Sequence, residues 1–260
     1  MISPAITSSF LILATVAAGD GILHTIGNPT NEEQYYLELI NRARADPEAE
    51  GIRIAALSDP GILSAISYFG VDMDLFQQEM AAIDPQPPLA MNPILIGTAR
   101  AHSEDMFTMG VQSHIGTNGF SWLERGIAAN YNGTLVVENI YASSWFTEFG
   151  HASFEIDWGP GGSGGMLPGR GHRFSIHYSV VREVGIGIFN GSRTGVVGPI
   201  GPQLVTQDFG TGPPNTAFIT GVVYHDLNGN HFYDPGEGIG GVEVMIGDNT
   251  YRGMTASSGG

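Results

Sequence analysis

The chain has 260 residues, enough for one large domain with its own core and a smaller second unit. Its net charge of −16 comes with ten basic residues that are all arginine, so its surface repels nucleic-acid phosphates and anionic lipid heads. Cysteine is absent, which excludes disulfides. We therefore expect no nucleic-acid partner.

The first 29 residues have an ambiguous N-terminal pattern. The apolar stretch 10–19 has the length and small-residue end of a secretory signal, but no basic residues precede it. It is too short to span a bilayer, so no transmembrane segment is expected. Residues 1–29 are interpreted as a leader or a degenerate export signal, and both readings stay open.

Helices follow the leader. A capping box from Thr30 to Glu33 opens the first helix, and Asp46–Pro47 ends it. Two shorter helical patterns then cover 62–69 and 75–83, with Asp74 and Gln77 as a cap of the second. We interpret residues 48–84, which contain them, as a helical insertion that packs on the main domain.

Capping residues and apolar patterns in the central part of the sequence predict three more helices. Asn92 is an N-cap before Pro93, and Gly110 ends the helix that follows. His102 lies on the apolar face of that helix, which favours a buried, hydrogen-bonded histidine over a ligand. A capping box at 121–124 and the apolar pattern of 143–158 indicate two further helices.

Strands come after the helices. A Gly-rich loop, 160–171, leads to His172, and it is no phosphate loop because the chain has no lysine. The segments 184–189 and 204–209 then predict two strands. This order predicts an α+β fold.

Three dispersed side chains, His114, Glu138 and His172, are the candidate site. Two imidazoles and a carboxylate suit zinc or another divalent metal and leave a coordination position for water. Metal-bound water would start a hydrolysis, but no nucleophile is evident, since Ser113 is too close in sequence to His114 to form a triad with it. A buried polar network that joins helices to strands is the alternative.

Eight short segments occur in the order found in the CAP superfamily, the cysteine-rich secretory, antigen 5 and pathogenesis-related 1 proteins, also called the SCP domain. The resemblance covers about residues 30–210. It implies an α-β-α sandwich, an extracellular location and a cleft lined by two histidines and two acids. The segments are LINRAR (39–44), PL (88–89), ARAHSEDM (99–106), SH (113–114), ENI (138–140), GHR (171–173), VGIG (184–187) and TQDFG (206–210).

By this resemblance, His114 matches the first cleft histidine, Glu138 the acid of the Glu-Asn-Ile motif and His172 the histidine of the Gly-His motif. The second acid departs from the family pattern. Asp157 and Glu155 are its two candidates, and the resemblance implies Asp157 as the fourth cleft residue.

A linker at 211–216 precedes a second unit, in which 218–224 and 242–246 predict strands. Between them lies a twelve-residue loop with the oxygen spacing of a calcium loop. Flanking strands and His231 at position 6 distinguish it from an EF-hand. Residues 217–260 resemble an incomplete β-sandwich repeat of the adhesin B type, with an ion-free turn as the alternative. The predicted ligands are Asp226, Asn228, Asn230, the Phe232 carbonyl, Asp234 and Glu237.

Two functional classes therefore compete. One is a secreted CAP-domain protein whose cleft binds a divalent metal or a small ligand, with hydrolase activity left open. The other is a structural or adhesive surface module that calcium stiffens, without catalysis. A small ligand, a lipid or a surface partner are the expected partner classes.

Overall fold

The computed structural model describes residues 25–246 and 251–260. The leader predicted for 1–29 lies, up to residue 24, outside the described residues. The helices are α1 Asn31–Ala45, α2 Pro47–Ala55, α3 Pro60–Phe69, α4 Met73–Ala81, α5 Pro93–Met109, α6 Trp122–Ala128, α7 Thr147–Ile156 and α8 Gly171–His177. The strands are β1 Ala90–Met91, β2 Leu135–Ser144, β3 Glu183–Asn190, β4 Arg193–Thr194, β5 Pro199–Ile200, β6 Gln203–Gly210, β7 Glu243–Ile246 and β8 Tyr251–Met254.

The helix ends follow from local chemistry. The Thr30 side chain accepts a hydrogen bond from the Glu33 amide while the Glu33 carboxylate accepts one from the Thr30 amide, which is the predicted capping box. Asn92 caps α5, and Gly110 ends it in the left-handed conformation at φ 70°. The capping box at Ser121 is also formed. These predicted boundaries are confirmed.

A four-stranded sheet in the order β1-β3-β6-β2 is the centre of the fold. β3 pairs antiparallel with β6, and β6 pairs antiparallel with β2, whereas the short β1 is parallel to β3. Helices and a mixed sheet occupy separate layers, which confirms the predicted α+β class.

Helices cover both faces of this sheet. The backbone of α5 lies directly on β3, since a Cβ atom at Gly185 or Gly187 would come within 1.9 or 2.1 Å of backbone atoms of α5. The other face packs against α1, α7 and α8 through a core of apolar side chains. The result is a helix–sheet–helix sandwich. This core includes Tyr36, Leu37, Ile40, Phe154, Ile176, Val184, Ile186, Val205 and Phe209.

The segment predicted as an insertion forms α2, α3 and α4, which pack on α7 around a second apolar cluster. Its predicted helices are present, but Asp72, and not Asp74, caps α4 by accepting a hydrogen bond from the Leu75 amide. The structure also has α2, which the sequence patterns did not indicate. No helix among the described residues is long and apolar enough to cross a bilayer.

Two predictions of secondary structure were wrong. The helix expected over 143–158 begins only at Thr147, because residues up to Ser144 belong to β2 and pair with β6. The strand expected over 218–224 is not formed. Its backbone instead makes isolated hydrogen bonds between Val223 and both Ile239 and Gly259, with a single bridge from Tyr224 to Gly238.

The C-terminal unit packs against α1, and few of its described apolar residues are buried. Tyr224 and Tyr233 are buried in one cluster with Tyr35 and Leu39 of α1. The guanidinium of Arg42 also lies 4.3 Å from the ring centroid of Phe232. Because its buried aromatic rings meet α1, this unit gains much of its core from the main domain.

Candidate functional site

The first histidine–carboxylate pair joins the loop after α5 to β2. His114 Nδ1 lies 2.7 Å from Glu138 Oε1, and the Glu138 side chain is fully buried while that of His114 is 44% exposed. The indole of Trp122 meets the imidazole edge-on, with ring centroids 5.5 Å apart. A buried carboxylate on Nδ1 orients the ring and directs Nε2 away from the contact.

Arg125 of α6 holds the same carboxylate from a second side. Its Nη2 contacts Glu138 Oε2, and its Nη1 donates to the carbonyls of His114 and Phe120 at 3.1 and 3.2 Å. One arginine therefore fixes the Glu138 carboxylate and the loop that carries His114. Sequence reasoning missed Arg125, because nothing in its local pattern points to Glu138.

A second buried carboxyl, Asp208 of β6, lies directly across the strand pair from Glu138. Burial, followed by the charge of Glu138, raises the pKa of Asp208 well above its ordinary value. Its Oδ2 accepts a hydrogen bond from the Thr98 hydroxyl at 2.7 Å, while Oδ1 accepts none from the described residues. Burial and the neighbouring Glu138 charge therefore both favour the protonated form of this carboxyl.

His102 completes this side of the sheet. It is buried as predicted, and its Nε2 lies 2.8 Å from the Ser113 carbonyl and 4.0 Å from Glu138 Oε2. Burial lowers the pKa of His102, more than Glu138 raises it. A neutral His102 donates from Nε2 to the Ser113 carbonyl and thereby anchors the loop before His114.

The second pair lies between α7 and α8. His172 Nδ1 is 2.6 Å from Asp157 Oδ1, and the His172 backbone N–H donates to Asp157 Oδ2 at 3.1 Å. Asp157 ends α7 with φ 59°, a left-handed conformation that aspartate tolerates better than most residues. Of the two candidate acids, Asp157 is the partner of His172, whereas Glu155 contacts His177 Nε2 at 3.1 Å.

The two pairs lie on opposite faces of the edge strand β2. Ile140, two residues after Glu138, packs with Met106 of α5. Asn139 points to the other face, where its amide donates to the His172 carbonyl at 3.1 Å. Residues 25–246 and 251–260 contain no group of three His, Asp or Glu side chains arranged to hold a metal ion. The three proposed zinc ligands are thus brought together only in part, as His114 with Glu138.

The side chains proposed as calcium ligands hydrogen-bond to one another and to the loop backbone, and the three carboxylates among them are not grouped as a metal site. Asp234 Oδ2 accepts hydrogen bonds from the side-chain amides of Asn228 and Asn230 at 2.8 and 2.6 Å. Asp226 accepts from three backbone N–H groups between positions 229 and 231, and Glu237 accepts from those of residues 227 and 234. His231, where an EF-hand has glycine, takes the left-handed conformation at φ 63°.

Fold and site together define an α+β sandwich domain in which several histidines contact buried carboxylates, those of His114 and His172 being the pairs indicated by the sequence. No protein-family model matches the sequence, and no curated protein matches it. Among solved structures, an extracellular protein containing an SCP domain from Bacillus anthracis str. Ames is similar, with a TM-score of 0.37 and 16% sequence identity. The match covers 56% of this chain and 39% of that one, so it spans less than half of that protein's length.

Proposed function

We propose that this chain is a secreted, CAP-like domain that binds a small ligand at His114. The observation that carries the proposal is the contact between the half-exposed imidazole and the buried Glu138 carboxylate, 2.7 Å apart. Among the described residues no hydrogen bond is made to His114 Nε2, so this atom is available to a ligand.

The surroundings of His114 favour an amphipathic ligand with a hydroxyl group. A neutral imidazole that donates from Nδ1 to a carboxylate accepts a hydrogen bond at Nε2. The Trp122 ring lies beside it, and Ile115 and Phe120 of the same loop are 47% and 39% exposed. A ligand hydroxyl would donate to Nε2 while its apolar part covers these side chains.

The proposal is binding rather than hydrolysis. Ser113 is the nearest hydroxyl in sequence, but its Oγ donates to the Ile115 carbonyl at 2.9 Å and accepts from the Ile115 amide at 3.0 Å. A hydroxyl engaged in this local turn is not aligned with the imidazole as a nucleophile would be.

Zinc in the cleft stays a prediction from the sequence. Both oxygens of Glu138 have partners, and His172 lies on the other face of β2, so the residues do not fit one three-ligand site. His114 and His172 would each offer a metal one nitrogen, Nε2, because Nδ1 contacts a carboxylate. The test below therefore adds Zn²⁺ separately from the small ligand.

Proton NMR of the imidazole resonances tests the proposal, with 1-octanol as the amphipathic probe and Zn²⁺ as the metal probe. We expect octanol to shift the His114 resonances and His114→Ala to lose octanol binding. His225→Ala, at an exposed histidine of the C-terminal unit, is the matched control and should bind as the unmodified chain does. Octanol affinity that is unchanged in His114→Ala would refute the proposal.

The calcium loop supports a second candidate function, a surface module stiffened by Ca²⁺. Its five oxygen-bearing side chains have the hard donors that Ca²⁺ prefers, and the left-handed His231 provides the turn that glycine gives in EF-hands. The loop also carries Phe232 and Tyr233, which pack on α1, so a bound ion would stabilise this contact.

Thermal unfolding with Ca²⁺ and with a chelator tests the second candidate. We expect Ca²⁺ to raise the melting temperature of the unmodified chain and not that of Asp234→Asn, since Asp234 accepts two hydrogen bonds at the centre of the loop. Asp74→Asn, at an exposed position on α4, is the control. Equal melting temperatures with Ca²⁺ and chelator would reject calcium binding.

A further inference from the structure

Four Asn-Gly pairs occur in the chain, at Asn118, Asn132, Asn190 and Asn228, and all four asparagines are exposed. Asparagine is chemically labile, and a following glycine has no Cβ atom to hinder attack on the side-chain amide. Exposure does not distinguish the four pairs, whereas their hydrogen bonds do. We propose that Asn132 is the preferred site of a spontaneous deamidation that changes the backbone directly before β2.

The reaction needs a free glycine nitrogen and a free side-chain amide. The backbone nitrogen of the glycine loses its proton and attacks Cγ of the asparagine, so an N–Cγ bond forms while the Cγ–Nδ2 bond breaks and ammonia leaves. Water then opens the resulting succinimide at either carbonyl and yields aspartate or isoaspartate. Both products add one negative charge, and isoaspartate also adds a methylene group to the main chain.

Hydrogen bonds hold the glycine nitrogen at three of the four pairs. The donors and acceptors are Gly119 with the Gly116 carbonyl (2.9 Å), Gly191 with the Pro202 carbonyl (2.8 Å) and Gly229 with Asp226 Oδ1 (2.7 Å). Each of these bonds must break before the nitrogen can attack, which slows the reaction.

The side chains of the same three asparagines are held as well. Asn118 Oδ1 accepts a hydrogen bond from the Phe120 amide at 2.9 Å, and Asn190 Nδ2 donates to Glu32 at 3.3 Å. The side chain of Asn228 makes two hydrogen bonds within its own loop. Rotation of the amide toward the glycine nitrogen therefore breaks a second contact at each of these pairs.

Neither restraint applies at Asn132. Its side chain and the N–H of Gly133 make no hydrogen bond to any described residue. Packing also requires the glycine, because a Cβ atom at this position would come within 2.8 Å of the Tyr131 ring. A larger residue, which would slow the attack, is thus excluded here. Asn132 should therefore react at nearly the rate of the same pair in an unfolded chain.

The products would change a short connection whose ends are fixed. On one side the Tyr131 hydroxyl donates to Glu183 at 2.7 Å, and on the other the Thr134 carbonyl accepts from the Thr211 N–H at 3.0 Å. An added methylene group lengthens this connection, which leads directly into β2, the strand that carries Glu138. Deamidation would thus act on the strand that supports the His114 site.

Incubation of the folded chain at mildly alkaline pH tests the proposal, with peptide mapping by mass spectrometry as the readout. We expect Asn132 to deamidate about tenfold faster than Asn118, Asn190 and Asn228, and an isoaspartyl methyltransferase to label the peptide that contains it. Equal rates at the four pairs, or a faster reaction at any of the other three, would overturn the proposal.

The same incubation in urea separates the effect of structure from that of sequence. Unfolding frees all four glycine nitrogens, so the four rates should converge. A preference for Asn132 that persists in urea would refute the hydrogen-bond argument.

Variants locate the labelled site. Asn132→Gln should abolish isoaspartate labelling of the folded chain, because glutamine would have to close a less favourable six-membered ring. Asn118→Gln, at another exposed Asn-Gly pair, is the matched control and should keep the labelling. Melting curves verify that both variants are folded. Labelling of Asn132→Gln as strong as that of Asn118→Gln would reject the assignment.

Discussion

Replacement of Glu138 by glutamine tests the contacts on which the His114 site depends. The side chain is fully buried and is held between His114 and Arg125, whose own side chain is only 9% exposed. Glutamine keeps the shape and one acceptor oxygen but removes the charge. Arg125 would then be a nearly buried cation whose other partners among the described residues are the carbonyls of His114 and Phe120.

Removing one partner of a buried ion pair costs about 3–5 kcal/mol. We expect Glu138→Gln to cost about 3 kcal/mol, the lower end of that range, because the remaining oxygen still accepts from Arg125. Asp208 should offset part of this cost. The charge of Glu138 contributes to the raised pKa of Asp208, so without that charge Asp208 ionises more readily and compensates Arg125.

Urea unfolding at neutral pH measures the change in the free energy of unfolding. Glu104→Gln, the same substitution at an exposed position of α5, is the control and should change stability by less than about 0.5 kcal/mol. The double variant Glu138→Gln with Asp208→Asn should be less stable than Glu138→Gln alone, since no carboxylate is left beside Arg125. A Glu138→Gln variant as stable as the control would refute this reading.

Three further predictions concern the stability of the sheet and of the C-terminal unit. The pKa of Asp208 is raised in the folded chain, so this residue lowers the free energy of unfolding as pH rises above about 3.9, the pKa of aspartate in an unfolded chain. Melting curves should therefore show that Asp208→Asn is more stable than the unmodified chain by an amount that grows with pH. A difference that stays constant with pH would contradict this prediction. Gly187→Ala places a Cβ atom 2.1 Å from the Arg100 amide nitrogen, and urea unfolding should show a loss of about 3 kcal/mol or more. Tyr233→Ala should increase hydrogen exchange around residues 222–240 without affecting the sheet, because this buried ring joins the C-terminal unit to α1; equal exchange would contradict it.

Local signals in the sequence were sufficient for most helix ends and for the two central strands. Thr30, Asn92 and Ser121 act through hydrogen bonds to residues two or three positions away, so their effect is visible in a short window. β2 was missed because its pairing with β6 is a contact between distant segments. The same limitation explains the wrong strand prediction for residues 218–224. This segment has the apolar composition of a strand, but among the described residues no neighbouring strand pairs with it.

The candidate site shows the limit more sharply. The sequence indicated His114, Glu138, His172 and Asp157, but not which acid faces which histidine. Glu138 of β2 meets His114, and Asp157 at the end of α7 meets His172. A strand alternates its side chains, so neighbours such as Glu138 and Asn139 serve opposite faces. Asp208 was not predicted as a site residue for a related reason. It lies near the site only because β6 pairs with β2 in the register that places Asp208 opposite Glu138. The chemistry of this domain therefore depends on strand register, and a shift by one residue would exchange a buried carboxyl pair for an amide network.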